Sequence, residues 1–334
     1  MINQVLNVGR WEWFKLSRRW LPWILLALLI VFSQAAIWGN LYGYRQLKAN
    51  GATVRYGVAG QSRVNASCND LLAGKLPGGL KSAQTDVISI LVGECNDPAT
   101  QQQLQVRLQG LYQHFTPTGS LVYILQQGEV FVVLLATILG ASLIGAEYGL
   151  GTLRPILGFG TGRWQYLAGK LLLMAVAVLA ALAILVATSY GASLAAKALE
   201  SAPAGGVAAS NWTDVWRAFG KDWFGLLPAL GLTACVTIIV GSTASGMAIA
   251  LGYYFAELVL VVLFAPFAWF DKIANYLLGR SMLGWNGGGP FNSDAIPVPS
   301  DVRSIIVLSV YSIVLGGLAF AFFLRRDVKG AVGS

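Results

Sequence analysis

An all-α membrane protein with six transmembrane helices is the fold class this sequence predicts, on three observations. The chain has 334 residues, of which 56% are hydrophobic and 11% charged, against roughly 25% charged in an ordinary soluble domain. Six apolar stretches, residues 20–38, 130–146, 171–190, 224–241, 247–268 and 305–324, approach the roughly 20 residues that cross a bilayer. The formal net charge is +8, but Lys and Arg bracket the apolar runs instead of gathering on a soluble face, so no nucleic-acid partner is expected.

Residues 1–19 mix Trp11, Trp13 and Phe14 with Arg10, Lys15, Arg18 and Arg19, the composition of an amphipathic helix in the headgroup plane; a disordered basic tail is the alternative. The first span, 20–38, has a basic flank like that of a secretion signal. No small-residue cleavage pattern follows it, and Trp23 and Trp38 suit the interface, so it is read as retained.

Residues 39–129 are long enough for a small extracytoplasmic domain. Within them Leu104, Leu108, Leu111 and Phe115 recur at helical spacing after Asp97, predicting a helix over 97–115. Cys68 and Cys95 both fall in this region, where an oxidising compartment permits a disulfide, whereas Cys235 reads as a packing residue. The single histidine, His114, has no metal-ligand spacing around it and is read as solvated or packed.

The second span, 130–146, follows Glu129, an ordinary interfacial acid on this reading. A charged, glycine-rich elbow, 147–165, leads into a third span whose apolar core, 171–190, is entered from 166. Residues 191–223 form an external loop, and the turn "STASG" joins the fourth span, 224–241, to the fifth, 247–268. Residues 269–304 suggest a short amphipathic helix and a glycine-rich turn, either re-entrant or a plain surface loop. The last span, 305–324, leaves a tail at 325–334.

Orientation follows the basic residues near the span ends. The N-tail holds four, the elbow holds Arg154, Arg163 and Lys170, and the C-tail holds Arg325, Arg326 and Lys329. The remaining basic residues lie in the opposite loops, mainly in long stretches that weigh little in this rule. Both termini and the elbow are therefore expected in the cytoplasm of a cell-membrane protein.

Catalytic machinery is missing from the motifs. There is no H-E-x-x-H, and "GFGTGR" and "AGK" lack the spacing of phosphate-binding loops. No catalytic residue, metal site or cofactor of this chain's own is expected. One carboxylate, Glu257, falls deep within an apolar run. Ionisable groups there are costly and face protein or water, so Glu257 either lines a translocation path or bonds a neighbouring helix.

The elbow places Leu150, Leu153 and Leu157 on one face of a short helix, with Glu147 and Arg154 among its polar positions. Arg163 and Lys170 are expected to anchor at lipid phosphates. Such a helix could press on a cytosolic partner or merely connect two spans.

The stretch "AEYGLGTLRPILGFGTGRWQYLAGKLLL" resembles the segment between the second and third spans of ABC-2 type ABC transporter permeases. That segment runs from an acid through Gly-Thr, an apolar stretch and a Pro-x-Arg turn to a Gly-Lys entering a span, here Glu147, Gly151-Thr152, Ile156-Leu157, Arg163 and Gly169-Lys170. Gly160 stands where the turn usually has proline, Pro155 falls where it can interrupt or start the short helix, and the first outer region is longer than in the plainest members. The resemblance implies one permease half of an exporter, paired with a second six-span subunit and with separate ATP-binding subunits that hold ATP and Mg. It further implies coupling through Glu147, Leu150, Gly151, Thr152, Leu153, Arg154, Ile156 and Leu157. The alternative is a membrane scaffold or sensor whose outer domain binds a ligand or partner.

Overall fold

The computed structural model describes residues 2–56, 64–75, 85–150, 162–203, 210–287 and 299–325. Six helices among them are long and apolar enough to cross a membrane: α2 (Trp20–Asn50), α7 (Glu129–Leu150), α8 (Arg163–Ala198), α9 (Trp212–Val240), α10 (Thr243–Phe264) and α13 (Asp301–Arg325). Each core overlaps the corresponding apolar stretch, but the helices run further. α2 continues twelve residues past 38, α8 eight past 190, and α9 begins at Trp212 instead of 224. Hydropathy marks only the apolar part, whereas the backbone stays helical wherever polar side chains find water or partners. The external loop expected at 191–223 is thereby reduced to 199–211.

Contact clustering divides the chain into two compact units. One comprises residues 1–32, 122–187 and 212–334, the other 33–121 and 188–211.

In the first unit, α9 packs against α13, α7 and α10, and α10 against α7. Small residues permit the close approach that drives helix association in lipid. A Cβ added at Gly145 would stand 2.6 Å from the Thr243 Cα, and one at Gly246 2.8 Å from the Thr237 Cα. The tight turn between α9 and α10 rests on Gly241, whose φ of 70° is the left-handed cap conformation, and on the Ser242 hydroxyl, which accepts from the Ser245 N–H. The 269–304 stretch carries two short helices, α11 (Ala268–Ala274) and α12 (Leu278–Trp285), before α13.

α1 (Ile2–Ser17) also belongs to the first unit. Val8, Glu12 and Leu16, one turn apart, are buried, while Trp11, Trp13 and Phe14 are exposed. That two-sided pattern suits an interfacial position.

The second unit departs from an all-α description. A two-stranded antiparallel ribbon, β1 (Thr53–Tyr56) with β2 (Val64–Ser67), pairs Val54 with Ala66. It leads into α3 (Cys68–Leu72), α4 (Thr85–Asn96), α5 (Pro98–Phe115) and α6 (Pro117–Gln127). Eight residues of mixed strand propensity gave no clear period, which is why the ribbon escaped the pattern. Cys68 and Cys95 form a disulfide across 27 residues, with Cα atoms 5.5 Å apart. It lies in a small core of Val54, Ala66, Leu71 and Leu91. A second cluster packs Tyr44, Tyr112 and Phe115 in tilted and edge-to-face contacts at centroid distances of 5.0 to 5.7 Å. Glu200 joins the Arg45 guanidinium at 2.8 Å and the Lys48 ammonium at 3.0 Å. Hydrogen bonds from these two cations hold the Glu200 carboxyl below the usual carboxylate range. His114 is half-buried, and burial lowers its pKa.

Candidate functional site

Two clusters of buried ionisable groups lie in the first unit. They are anchored near the two ends of α7, at Glu129 and at Glu147, eighteen residues and about 27 Å apart.

The first cluster, at the Glu147 end, joins α1, the end of α7 and the beginning of α8. Glu12 and Lys170 are 6% and 2% exposed and Glu147 is 5% exposed. Lys170 Nζ lies 3.0 Å from Glu147 and 3.8 Å from Glu12, and Lys15 Nζ lies 2.8 Å from Glu12 and 3.5 Å from Glu147. The Lys170 ammonium donates a hydrogen bond to the Leu143 carbonyl at 2.7 Å, while its approach to Glu147 is an ion pair without hydrogen-bond alignment. It also lies 5.1 Å from the Tyr166 ring centre.

Two acids face two bases, so the cluster is neutral as a whole. That balance offsets the desolvation that would make any one of these charges expensive. Gly169 lets α1 come close enough: an added Cβ there would lie 2.9 Å from Val8 Cγ1 and 3.0 Å from the Val5 carbonyl. The Gly-Lys pair of the sequence motif is thus a contact and a charge directed at the same helix.

This geometry corrects two sequence expectations. Lys170 is not a lipid-phosphate anchor, because its ammonium is buried among protein carboxylates. Glu147 is not a polar position of a separate elbow helix; it lies in the last turn of α7. Arg163 is exposed, and its guanidinium donates to the Leu324 carbonyl at the end of α13. Leu150 is the last residue of α7. Gly151, Thr152, Leu153, Arg154, Ile156 and Leu157 lie outside the described residues.

The second cluster, at the Glu129 end, is built differently. Glu257 on α10 accepts the Gly279 N–H at 2.9 Å and the Arg280 N–H at 2.7 Å, and the Tyr253 hydroxyl accepts the Leu278 N–H at 3.4 Å. These side chains satisfy N–H groups that the first turn of α12 leaves without helical partners. The side chain of Glu257 therefore bonds a neighbouring helix, while it also borders a cavity of about 130 Å³ together with Glu129, Tyr254 and Arg280.

Glu129 is only 3% exposed and Asp222 on α9 1%, so the expectation of an ordinary interfacial Glu129 fails, and Glu257 is not alone as a buried acid. Packing of α9 on α7 encloses both. Glu12, Asp222 and Asn286 also escaped sequence reading. The i, i+4, i+8 stripe Val8, Glu12, Leu16 was the available signal for the first. Asp222 borders the fourth apolar stretch, and nothing in its neighbourhood marks it as buried.

Six helices long and apolar enough to cross a bilayer mark a multi-pass membrane protein. The family model for ABC-2 family transporter proteins matches residues 6–328, and the chain belongs to that family. No curated protein matches the chain.

Proposed function

We propose that this chain is the transmembrane half of an ATP-driven exporter. It pairs with a second permease subunit, while separate cytosolic ATP-binding subunits bind ATP and Mg. Both termini and residues 147–165 face the cytoplasm, residues 39–129 lie outside, and α1 rests in the inner headgroup plane. The elbow helix, with Leu150, Leu153 and Leu157 as its apolar stripe, takes up the closure of the ATPases and passes it to α7 and α8, tilting the bundle between two states.

The observation that supports this reading beyond family membership is the four-charge joint, Glu12, Lys15, Glu147 and Lys170. It clasps both flanks of the elbow to α1. A force applied to a loop moves a bundle only where the loop's ends are fixed to rigid elements, and here both ends are fixed.

Purification of the chain from its native membrane tests the proposal. A nucleotide-binding subunit should accompany it, with ATP hydrolysis in the complex. A chain that purifies without such a subunit, and whose elbow binds a protein lacking ATPase activity, would favour the scaffold or sensor alternative. Membrane-impermeant thiol labelling of intact cells tests the orientation: cysteine introduced at Gln102 should react, and cysteine introduced at Thr161 should not.

A further inference from the structure

A cavity of about 190 Å³ lies among α1, α2, α7 and α8. No charged side chain lines it, and its wall includes Leu25 and Leu29 of α2, Leu135 and Leu139 of α7, and Val178 and Leu182 of α8. An engineered apolar cavity of about 150 Å³ takes up a benzene molecule, so this one is on the scale of a hydrocarbon chain and not of a protein helix. The lining runs over residues 22–29, 132–139 and 177–184, about 10 Å along each helix. That length fits within one leaflet of a hydrocarbon core roughly 30 Å thick.

One end of the cavity lies at the corner between α1 and α2. Trp13, Leu16 and Ser17 line it from one side of the corner, Pro22 and Trp23 from the other. The Trp23 indole N–H donates to the Ser17 carbonyl at 2.9 Å and ties the two helices together across the turn. Trp13 and Trp23 are about half exposed, so the cavity reaches the surface here, and tryptophan is a side chain that settles at the headgroup level of a bilayer.

Arg18 and Arg19 form the turn of this corner. The Arg18 guanidinium lies 4.3 Å from the Phe14 ring centre. Neither arginine has an ion pair among the described residues, and the acids of α1 and of the end of α7, Glu12 and Glu147, are occupied by Lys15 and Lys170.

An apolar slot that reaches the headgroup level beside two guanidinium groups without acids matches an anionic phospholipid. We propose that the cavity binds one. An acyl chain lies between α2, α7 and α8, and the phosphate is held by Arg18 and Arg19, whose forked N–H groups suit phosphate oxygens. Occupancy needs neither an ATP-binding subunit nor a direction of transport, so the inference stands apart from the exporter reading.

The full-length protein is reconstituted in phosphatidylcholine nanodiscs with a small proportion of a phosphatidylglycerol or a phosphatidylcholine probe carrying a diazirine midway along one acyl chain. After photolysis the labelled residues are mapped by peptide mass spectrometry. Two arginines give an expected preference of about tenfold for the phosphatidylglycerol probe at Leu135, Leu139 and Ala181. The two probes should label Ile306 and Ile313, on the exposed face of α13, equally. Arg18→Gln with Arg19→Gln should bring cavity labelling by phosphatidylglycerol down to the phosphatidylcholine level, and Ala181→Phe, which narrows the cavity, should lower labelling at Leu135 and Leu139 by either probe. The wild-type ratio depends on no variant folding. Equal cavity labelling by the two probes in the wild type, or cavity labelling no stronger than that of Ile306 and Ile313, would leave only annular lipid and overturn the assignment. A disulfide joining two copies of the Leu139→Cys chain in native membranes would overturn it as well, because protein would then fill the cavity.

Discussion

The two ends of α7 solve the burial of charge in opposite ways. At the Glu147 end, two acids and two bases from α1, α7 and α8 neutralise one another, and the Lys170 ammonium reaches the Leu143 carbonyl as well. At the Glu129 end, Glu257 is occupied by the first turn of α12 and Arg280 borders the same cavity as Glu129, while Asp222 is buried with no hydrogen-bond partner among the described residues. A balanced group is a fastener, and removing one member leaves the others exposed to the full cost of burial. Where buried acids outnumber bases, neutralising one acid removes a cost of burial instead of creating one. The same chemistry, buried carboxylate in an apolar bundle, is thus balanced by bases in one place and left in excess in the other.

The largest effect should come from breaking the balance. Lys170→Met leaves Glu12 and Glu147 buried with Lys15 as their remaining base, and should destabilise the bundle by about 3–5 kcal/mol, read as a drop in thermal unfolding temperature in detergent. The double change Lys170→Met with Glu147→Gln should recover part of that loss, because it removes one unpaired charge along with its partner. Additive losses would show that the cluster is not a coupled unit.

A cross-link outside both clusters sets the scale. Removing the Cys68–Cys95 disulfide with Cys68→Ser and Cys95→Ser should cost about 3 kcal/mol by the loop-entropy account. Non-reducing peptide mapping should show the linked peptides beforehand.

At Asp222 the sign should reverse. Asp222→Asn should leave unfolding temperature equal to or above that of the wild type, with a change within about 1 kcal/mol. A loss comparable to that of Lys170→Met would mean that Asp222 has a structural partner and that the contrast between the clusters is false.

The smallest effect concerns Glu200, whose carboxyl is held low by Arg45 and Lys48. A carboxyl lowered on folding adds stability that is present above its unfolded pKa of about 4.3 and lost as pH falls through the folded value. Glu200→Gln should therefore lower stability slightly at pH 7. The difference from wild type should shrink from about pH 4 downwards and be gone once the native carboxyl is protonated.

How much of this was legible follows from which forces act locally. The six spans were legible because burial in lipid leaves long apolar runs, and α5 because Leu104, Leu108 and Phe115 keep its period. The ends of α2, α8 and α9 were not, since polar helical turns resemble loops in composition. Glu147 and Lys170 were singled out by their place in the motif, but their partnership was hidden, because it depends on α1 folding back onto Gly169. The acidity of Glu129 and Asp222 was plain, and their burial was not, since it arises from the packing of α9 on α7 across some ninety residues of chain.

The central claim is that the elbow receives force from an ATP-binding subunit, and site-directed crosslinking tests it most directly. Cysteines placed singly at residues 150–157 are paired with cysteines on the surface of the co-purified nucleotide-binding subunit, and bismaleimide crosslinking is followed with and without ATP. The account predicts crosslinks from positions 150, 153 and 157 that change in yield with nucleotide, together with loss of transport but retained ATP hydrolysis in Leu153→Asp. If no position in this stretch crosslinks to that subunit and Leu153→Asp transports at the wild-type rate, the elbow is only a connector and the account is contradicted.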